Sequence, residues 1–373
     1  MKVTIGICSL GNGHTYRQLQ VAKMLRYNQH TVRIIVESGD KADRFRDEGF
    51  DVLESWLPLV PARPDGRVYA SDLWNLNRSS IGPGLRRFLE IIRILRDDEQ
   101  DLFITDYEPN AAYAAMLLRK PLMTLDQQGK YRYLPMPRLD GPSHHWEKAR
   151  QVLLMPRMSR ALICSFIPME AGKPWQRIIP PIIDPSLQGL EVTADNHVTA
   201  YFSRYFDSGP EASVTALAEI FRRTGSPTVQ IFVHAPEYPA VSHLDSDTVK
   251  ISPVHRSNFL ESMRRSRLVI TNGGFNLISE SIALGKPVHT IPLPTYDQNW
   301  CARTVEQYRI GTAAPRVSED AVMSALAGAD QLRQSVLGLR NTHFLADPLA
   351  VVLDEVHRLA GARNGRRRRS IHV

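Results

Sequence analysis

The sequence predicts an α/β fold built from two doubly wound domains, each a parallel sheet with helices on both faces. Three observations predict it. Short β-branched runs alternate with stretches at helical spacing through both halves of the chain. In each half one such run ends in a glycine turn leading into a helix, at 11–13 and at 273–274. A proline-interrupted stretch, with Pro180, Pro181, Pro185 and Gly189, divides the 373 residues into parts that can each bury a core.

Taken in order, 3–8 reads as a strand, followed by the turn Gly11-Asn12-Gly13-His14. Leu19, Ala22 and Leu25 then carry a helix over 15–27, and strands are expected at 32–36 and 51–54. The segment 56–83 holds prolines, arginines, Tyr69 and Trp74 without a clean period. A stretch this long inside a compact domain is commonly functional, so it is expected to be a lid or an acceptor-facing loop, with a plain surface insertion as the alternative. A helix at 85–95 and a strand at 102–105 follow. That strand runs into Asp106-Tyr107-Glu108-Pro109 and an alanine-rich helix, with Pro109 suited to its first turn. The strand at 122–125 ends likewise in Asp126-Gln127-Gln128-Gly129. Ligands of open α/β sheets collect at the carboxyl ends of strands, which places His14, Asp106 and Asp126 on one rim.

The second half repeats the alternation: strands at 197–203, 229–233, 249–252, 268–271 and 288–291, and helices at 211–223, 259–265 and 275–284. Between the strand ending at Thr271 and the helix beginning at Phe275 stands Asn272-Gly273-Gly274. A glycine turn at a helix N-terminus presents free N–H groups and a positive dipole end, which suits a phosphate. Glu280 lies further along that helix, where a carboxylate accepts two ribose hydroxyls, and Asp297-Gln298-Asn299 offers groups for sugar hydroxyls. His255 precedes the helix at 259–265 and is expected near a nucleotide base, an ordinary surface histidine being the alternative.

Hydrophobic content of 43% and charge of 23% are those of a soluble globular chain. The net charge of +7 comes largely from Arg363, Arg366, Arg367, Arg368 and Arg369; without them it is +2, so the body carries no nucleic-acid footprint. A disordered solvated end is expected for this tail, contact with anionic lipid being the alternative. Cys8, Cys164 and Cys301 lie far apart without metal-ligand spacing, consistent with a reduced, cytoplasmic setting. No apolar run reaches the ~18 residues of a membrane span, and the opening MKVTIGICSL reads as a strand rather than a signal peptide.

Gly273, Gly274, Asn276, Glu280, Gly285, Pro287, Asp297 and Gln298 together resemble the donor signature of GT-B glycosyltransferases, G-G-x-N-x-x-x-E, then G-x-P, then D-Q. The stretch Asp106-Tyr107-Glu108-Pro109 with Asp126-Gln127-Gln128 is similar to the D-F-E-P and D-N-Q-H segments of a bacterial and archaeal branch of that family. The opening G-x-G-H-x-x-R, Gly11 to Arg17, resembles that branch and the lipid-linked N-acetylglucosaminyltransferases of cell-wall synthesis. One departure stands out: Gly129-Lys130 occupies the place where the branch has a histidine.

The resemblance implies two Rossmann-like domains facing a cleft, with a last helix crossing back to the first domain. The expected boundaries are 1–180 for acceptor binding, 181–196 as linker, 197–343 for the nucleotide sugar, 344–360 as the crossing helix and 361–373 as the basic tail. In the donor site the glycine turn holds the diphosphate, Glu280 the ribose, and Asp297 and Gln298 the sugar, with Asn276 in the same loop. Gly11, Gly13, Arg17, Glu108, Asp126 and Gln127 are expected on the acceptor side. His14, mobile on its loop, is the expected general base, oriented by Asp106.

The expected reaction is displacement at the anomeric carbon with inversion, moving a hexose from a UDP- or dTDP-sugar to an unidentified acceptor hydroxyl. No cofactor and no metal are expected. A sugar-nucleotide hydrolase and a non-hydrolysing 2-epimerase share the architecture. A basic-tailed binding protein is the non-enzymatic alternative.

Overall fold

The computed structural model describes residues 1–9, 12–57, 70–139, 144–156, 158–187, 190–203 and 209–369, without the side chains of 70, 73, 146 and 362–369. The first domain runs β1 (Lys2–Ile7), α1 (Gly13–Tyr27), β2 (Thr31–Glu37), α2 (Asp40–Asp47), β3 (Asp51–Ser55), α3 (Ala70–Asn77), α4 (Ile81–Asp97) and β4 (Leu102–Asp106). It continues with α5 (Pro109–Leu117), β5 (Leu122–Asp126), α6 (Gly129–Tyr133), α7 (His144–Leu154), β6 (Arg160–Cys164) and β7 (Gln176–Ile179). After a 3₁₀ turn at Pro185–Leu187 the second domain begins: β8 (His197–Tyr201), α8 (Glu211–Thr224), β9 (Thr228–Val233), α9 (Tyr238–Val241), β10 (Val249–Pro253), α10 (Arg256–Arg265) and β11 (Leu268–Thr271). Then come α11 (Phe275–Ala283), β12 (Val288–Thr290), α12 (Tyr296–Gln307), β13 (Gly311–Ala313), α13 (Glu319–His343) and α14 (Pro348–Arg369).

The strands form two parallel sheets, ordered β3-β2-β1-β4-β5-β6-β7 and β10-β9-β8-β11-β12-β13. Each order reverses direction once, between β1 and β4 and between β8 and β11. At such a switch point the connections leave to opposite sides and open a crevice at the strand carboxyl ends. The first crevice holds the starts of α1 and α5, and the second holds the turn into α11. Strands β4, β5 and β11 are buried from end to end, which is why they read as continuous apolar runs rather than as alternations.

The domains meet through side chains next to these crevices. The Phe166 ring lies 5.5 Å from Phe275 and 5.8 Å from Trp300. The Tyr296 hydroxyl donates to the Pro137 carbonyl at 2.7 Å. Helix α14 returns to the first domain, where buried Glu355 pairs with Arg160 at 2.7 Å and Arg177 at 3.5 Å. The Lys286 ammonium of the Gly285-Lys286-Pro287 stop donates to the Ser266 carbonyl at 2.6 Å and to that of Thr193. It thereby ties the strand-free segment before β8 onto the second domain, and burial lowers its pKa to about 7.

Three expectations change. The segment 56–83 is not one irregular loop: α3 and the start of α4 occupy 70–77 and 81 onward, while 58–69 lie outside the described residues. The last helix begins at Pro348 and continues to Arg369, so 361–369 extend it rather than leaving it as an irregular tail. Arginine is a good helix former and no proline interrupts the run, so charge density alone does not stop propagation. Strands β6, β7 and β13 and helices α2, α6, α7, α9, α12 and α13 add to the elements read from periodicity. Among the described residues no helix is long and apolar enough to cross a membrane.

Candidate active site

His14 is not on a mobile loop. Helix α1 already begins at Gly13, so His14 lies in its first turn, only 6% exposed. Its Nδ1 is 2.8 Å from Oδ1 of Asp106, the last residue of β4, which pairs in register with Ile7 of β1. His14, in the helix that follows β1, and Asp106, at the end of β4, therefore meet at the first switch point. Arg17, one turn further along α1 and fully buried, donates from Nε to Oδ2 at 3.0 Å and from Nη2 to both carboxylate oxygens at 2.8 Å. Gln18 donates to Oδ2 at 3.0 Å and to the Leu125 carbonyl at 3.1 Å. Burial alone raises the pKa of Asp106, but Arg17, His14 and Gln18 hold it below the usual carboxylate range. Asp106 is thus an ionised anchor that fixes one imidazole nitrogen and leaves Nε2 as the other.

Arg17 was expected to face an acceptor; instead its guanidinium is committed to Asp106, with Nη1 3.5 Å from Oδ1 of Asn276 across the cleft. Gln18 escaped notice in the sequence, although residues 14, 17 and 18 share one helix face. Glu108, expected on the acceptor side, instead caps α5. Its Oε1 accepts from the Asn110 N–H at 3.0 Å and Oε2 from the Ala111 N–H at 2.7 Å, with Pro109 at the first helical position. Tyr107 takes φ +58°, and this left-handed bend stands between Asp106 and Glu108, whose side chains serve different helices. Asp126 and Gln127 are buried at the end of β5. Asp126 Oδ1 accepts from the Gly129 N–H at 2.6 Å, while its Oδ2 and Gln127 Oε1 have no partner among the described residues. Burial and then the neighbouring Asp106 push Asp126 up to about 7. Gly11 lies outside the described residues.

In the second domain Gly273 takes φ +84°, a conformation that requires glycine, whereas Gly274 has φ −66° and occupies the N-cap of α11. A Cβ built on Gly274 would meet nothing within 4 Å. No side chain caps this end of α11, so its first N–H groups are left without a side-chain acceptor, the arrangement that suits an anion. Asn276 turns toward the first domain, where a side chain at Gly13 would collide with its amide. The start of α1 therefore packs against Asn276 at the start of α11.

Glu280 is held by a residue the sequence did not point to. Arg256 donates from Nη1 and Nη2 to its two oxygens at 3.0 and 2.7 Å, and also lies 3.5 Å from Asp184 and over the Tyr16 ring at 4.9 Å. Any ribose hydroxyl reaching Glu280 shares it with this guanidinium. His255, the N-cap residue of α10, and Arg256 line a cavity of about 630 Å³ with Ser186 and Leu260. Asp297 stands in the first turn of α12, its Oδ1 accepting from the Tyr131 hydroxyl and lying 3.5 Å from the Lys130 ammonium. Gln298 accepts from the Leu293 N–H at 2.8 Å through Oε1. Gly274 and Glu280 lie at the N-cap and within α11, and Asp297 in the first turn of α12, the helices that follow β11 and β12; Asn276 of α11 reaches Arg17 of the first domain.

The sequence matches the family described as "Glycosyl transferase family 1" over residues 1–328. The chain belongs to that family. It is a glycosyltransferase of GT-B fold, which removes the binding-protein alternative. Solved structures agree at the level of fold. The kitacinnamycin glycotransferase superposes with a TM-score of 0.70 at 14% identity, covering 96% of this chain and 98% of its own. The calicheamicin glycosyltransferase CalG4 gives 0.69 at 17%, covering 96% and 98%. MurG of Acinetobacter baumannii gives 0.62 at 14%, covering 96% and 99%. No curated protein sequence matches the chain.

Proposed function

We propose that this glycosyltransferase moves a hexose from a UDP- or dTDP-sugar to an acceptor hydroxyl by direct displacement with inversion, without a metal in the chemistry. The observation that carries the reading is the opposition of the two switch-point sites: His14 fixed by Asp106 on one side, and the open N-terminus of α11 on the other. With Nδ1 hydrogen-bonded to Asp106, His14 Nε2 takes the acceptor proton as that oxygen attacks the anomeric carbon. The leaving diphosphate gathers charge at Gly273-Gly274, where oriented N–H groups and the dipole of α11 stabilise it without reorganising. Glu280, shared with Arg256, takes the ribose, and the cavity beside His255 takes the base.

The nucleotide preference is supported by structural neighbours solved with such ligands, among them the glycosyltransferase VinC with DTDP and an anthocyanidin 3-O-glucosyltransferase with UDP. For the acceptor, Trp56, Leu85, Phe88 and Tyr113 line an apolar cavity of about 270 Å³ beyond the carboxyl ends of β3 and β4. This favours an acceptor with an apolar body over a hydrolytic water. The arginines at 363 and 366–369 add a peripheral contact with anionic membrane to the proposal; co-sedimentation with phosphatidylserine vesicles that survives deletion of 361–373 would remove it.

Thermal-shift measurements with UDP, dTDP, GDP and ADP test the donor site, since a ligand bound only by the native state raises the midpoint. The proposal expects a shift with UDP or dTDP, and no shift with any of the four overturns it. Incubation with the preferred donor alone, including EDTA, then separates the reactions. Rapid release of free sugar identifies a hydrolase, an altered nucleotide sugar identifies an epimerase, and an intact donor supports a transferase waiting for its acceptor.

A further inference from the structure

Lys130 is the chain's departure from the pattern it resembles, and it is wholly buried at 0% exposure. It belongs to α6 of the first domain, yet two of the three rings around its ammonium come from the second. Nζ lies 4.4 Å from the Trp300 centroid, 5.3 Å from Phe275 and 4.6 Å from its own neighbour Tyr131. Its carboxylate partner is Asp297 at 3.5 Å. The Tyr131 hydroxyl donates to the same oxygen, Oδ1, and both burial and Asp297 push the Tyr131 pKa well above its ordinary value, keeping it a donor. The Asp297 side chain itself remains 25% exposed.

An ammonium in an aromatic box is costly unless it has a task, because a methionine would fill the same space without a charge to desolvate. The task visible here is to hold Asp297 from the opposite side of the cleft. Both contacts fall on Oδ1, so Oδ2 is the oxygen left to accept from a sugar hydroxyl.

We propose that Lys130 and Tyr131 are positioning residues for the donor sugar, reaching from the acceptor domain to fix the Asp297 carboxylate so that the sugar is read only when the domains are closed. The proposal rests on the reading of Asp297 as a donor-sugar contact. It makes donor specificity a property of both domains. The nucleotide is bound without these two residues, while the sugar adds affinity through Gln298 and the assembled Lys130–Tyr131–Asp297 group.

The test compares UDP and dTDP with UDP-glucose, UDP-N-acetylglucosamine and dTDP-glucose by calorimetric titration into the full chain, wild type and variants. Lys130→Met and Tyr131→Phe should each leave nucleoside diphosphate affinity within about twofold. Each should reduce the extra affinity conferred by the sugar by roughly tenfold to a hundredfold, the worth of hydrogen bonds to a charged group. Lys130→Met combined with Asp297→Asn should be no worse than Asp297→Asn alone, because the pair acts as one unit. A sugar increment unchanged in both single variants overturns the proposal, as does nucleotide affinity falling in step with sugar affinity, which marks plain structural damage. A wild type that binds nucleotides but gains nothing from any of the three sugars also overturns it. A wild type that binds neither UDP nor dTDP instead overturns the donor reading itself, and this proposal with it.

Discussion

Replacing Asp106 by Asn is expected to damage stability and chemistry together, and a second substitution should separate them. The carboxylate accepts from His14, Gln18 and the fully buried Arg17, whose Nε and Nη2 both contact it within 3.0 Å. Asn keeps the shape but removes the charge, leaving a guanidinium buried without its counter-ion. Breaking a buried pair from one side costs about 3–5 kcal/mol. In a domain of this size each kcal/mol moves the melting midpoint by about 2–4 °C, so a fall of roughly 6–20 °C is expected by calorimetry. The double variant Asp106→Asn with Arg17→Met removes the orphaned cation and should recover most of that loss, since apolar replacement of a buried pair is often neutral.

Activity should not recover with it. An amide at position 106 donates to Nδ1 and forces the imidazole proton onto Nε2, the atom that has to accept. A loss of up to about 10⁴-fold in kcat is expected, close to that of His14→Ala, for the single and double variants alike. Nucleoside diphosphate release below the melting midpoint provides the assay. Three results would refute the reasoning: Asp106→Asn melting within about 1 kcal/mol of wild type, a double variant as unstable as the sum of the singles, or a folded Asp106→Asn protein with full turnover.

Two further outcomes follow from the same geometry. Glu280→Ala should weaken nucleotide binding by roughly 1.5–3 kcal/mol in calorimetric titration. Glu280→Ala with Arg256→Ala should not weaken it much further, because the two side chains form one bidentate pair; a large additional loss would mean that Arg256 binds the nucleotide separately. Asp126 and Glu108 both titrate near 7 in the folded protein, far above their unfolded values, so the folded state holds the extra protons. Stability from these groups is full below about pH 4 and declines as pH rises through 7. Asp126→Asn should flatten that part of the melting-midpoint profile between pH 5 and 8, whereas an unaltered profile would show that Asp126 is ionised throughout.

The parts of this molecule that were legible in its sequence are those whose signal is local. Buried strands such as Leu268–Thr271 and Leu102–Asp106 announce themselves as apolar runs, and the glycine turn before α11 as a break between strand and helix patterns. Helix α2, DKADRFRD, did not, because only Ala42 and Phe45 are buried and two apolar positions set no period. His14 reads as a loop residue because two nearby glycines read as a turn. Gly13 starts the helix instead, for a long-range reason: its bare backbone packs against Asn276 of the other domain. Glu108 reads as a rim residue because a carboxylate on the rim and a carboxylate capping a helix look the same in a string of letters. The partners Arg256 for Glu280, and Lys130 and Tyr131 for Asp297, depend on which elements meet across the cleft, and periodicity carries nothing about that.

The central claim is that the open N-terminus of α11 receives the donor diphosphate, and Gly274→Asp tests it most directly. At φ −66° the site tolerates a side chain, a Cβ there meets nothing within 4 Å, and aspartate is a favoured N-cap residue. The variant should therefore melt at or above the wild-type temperature while placing a carboxylate where the diphosphate sits. Calorimetric titration with UDP and dTDP is expected to show binding to wild type and at least about a hundredfold weaker binding to Gly274→Asp, since an anion now occupies the anion site. Unchanged nucleotide affinity in a variant that is folded and as stable as wild type would contradict the claim.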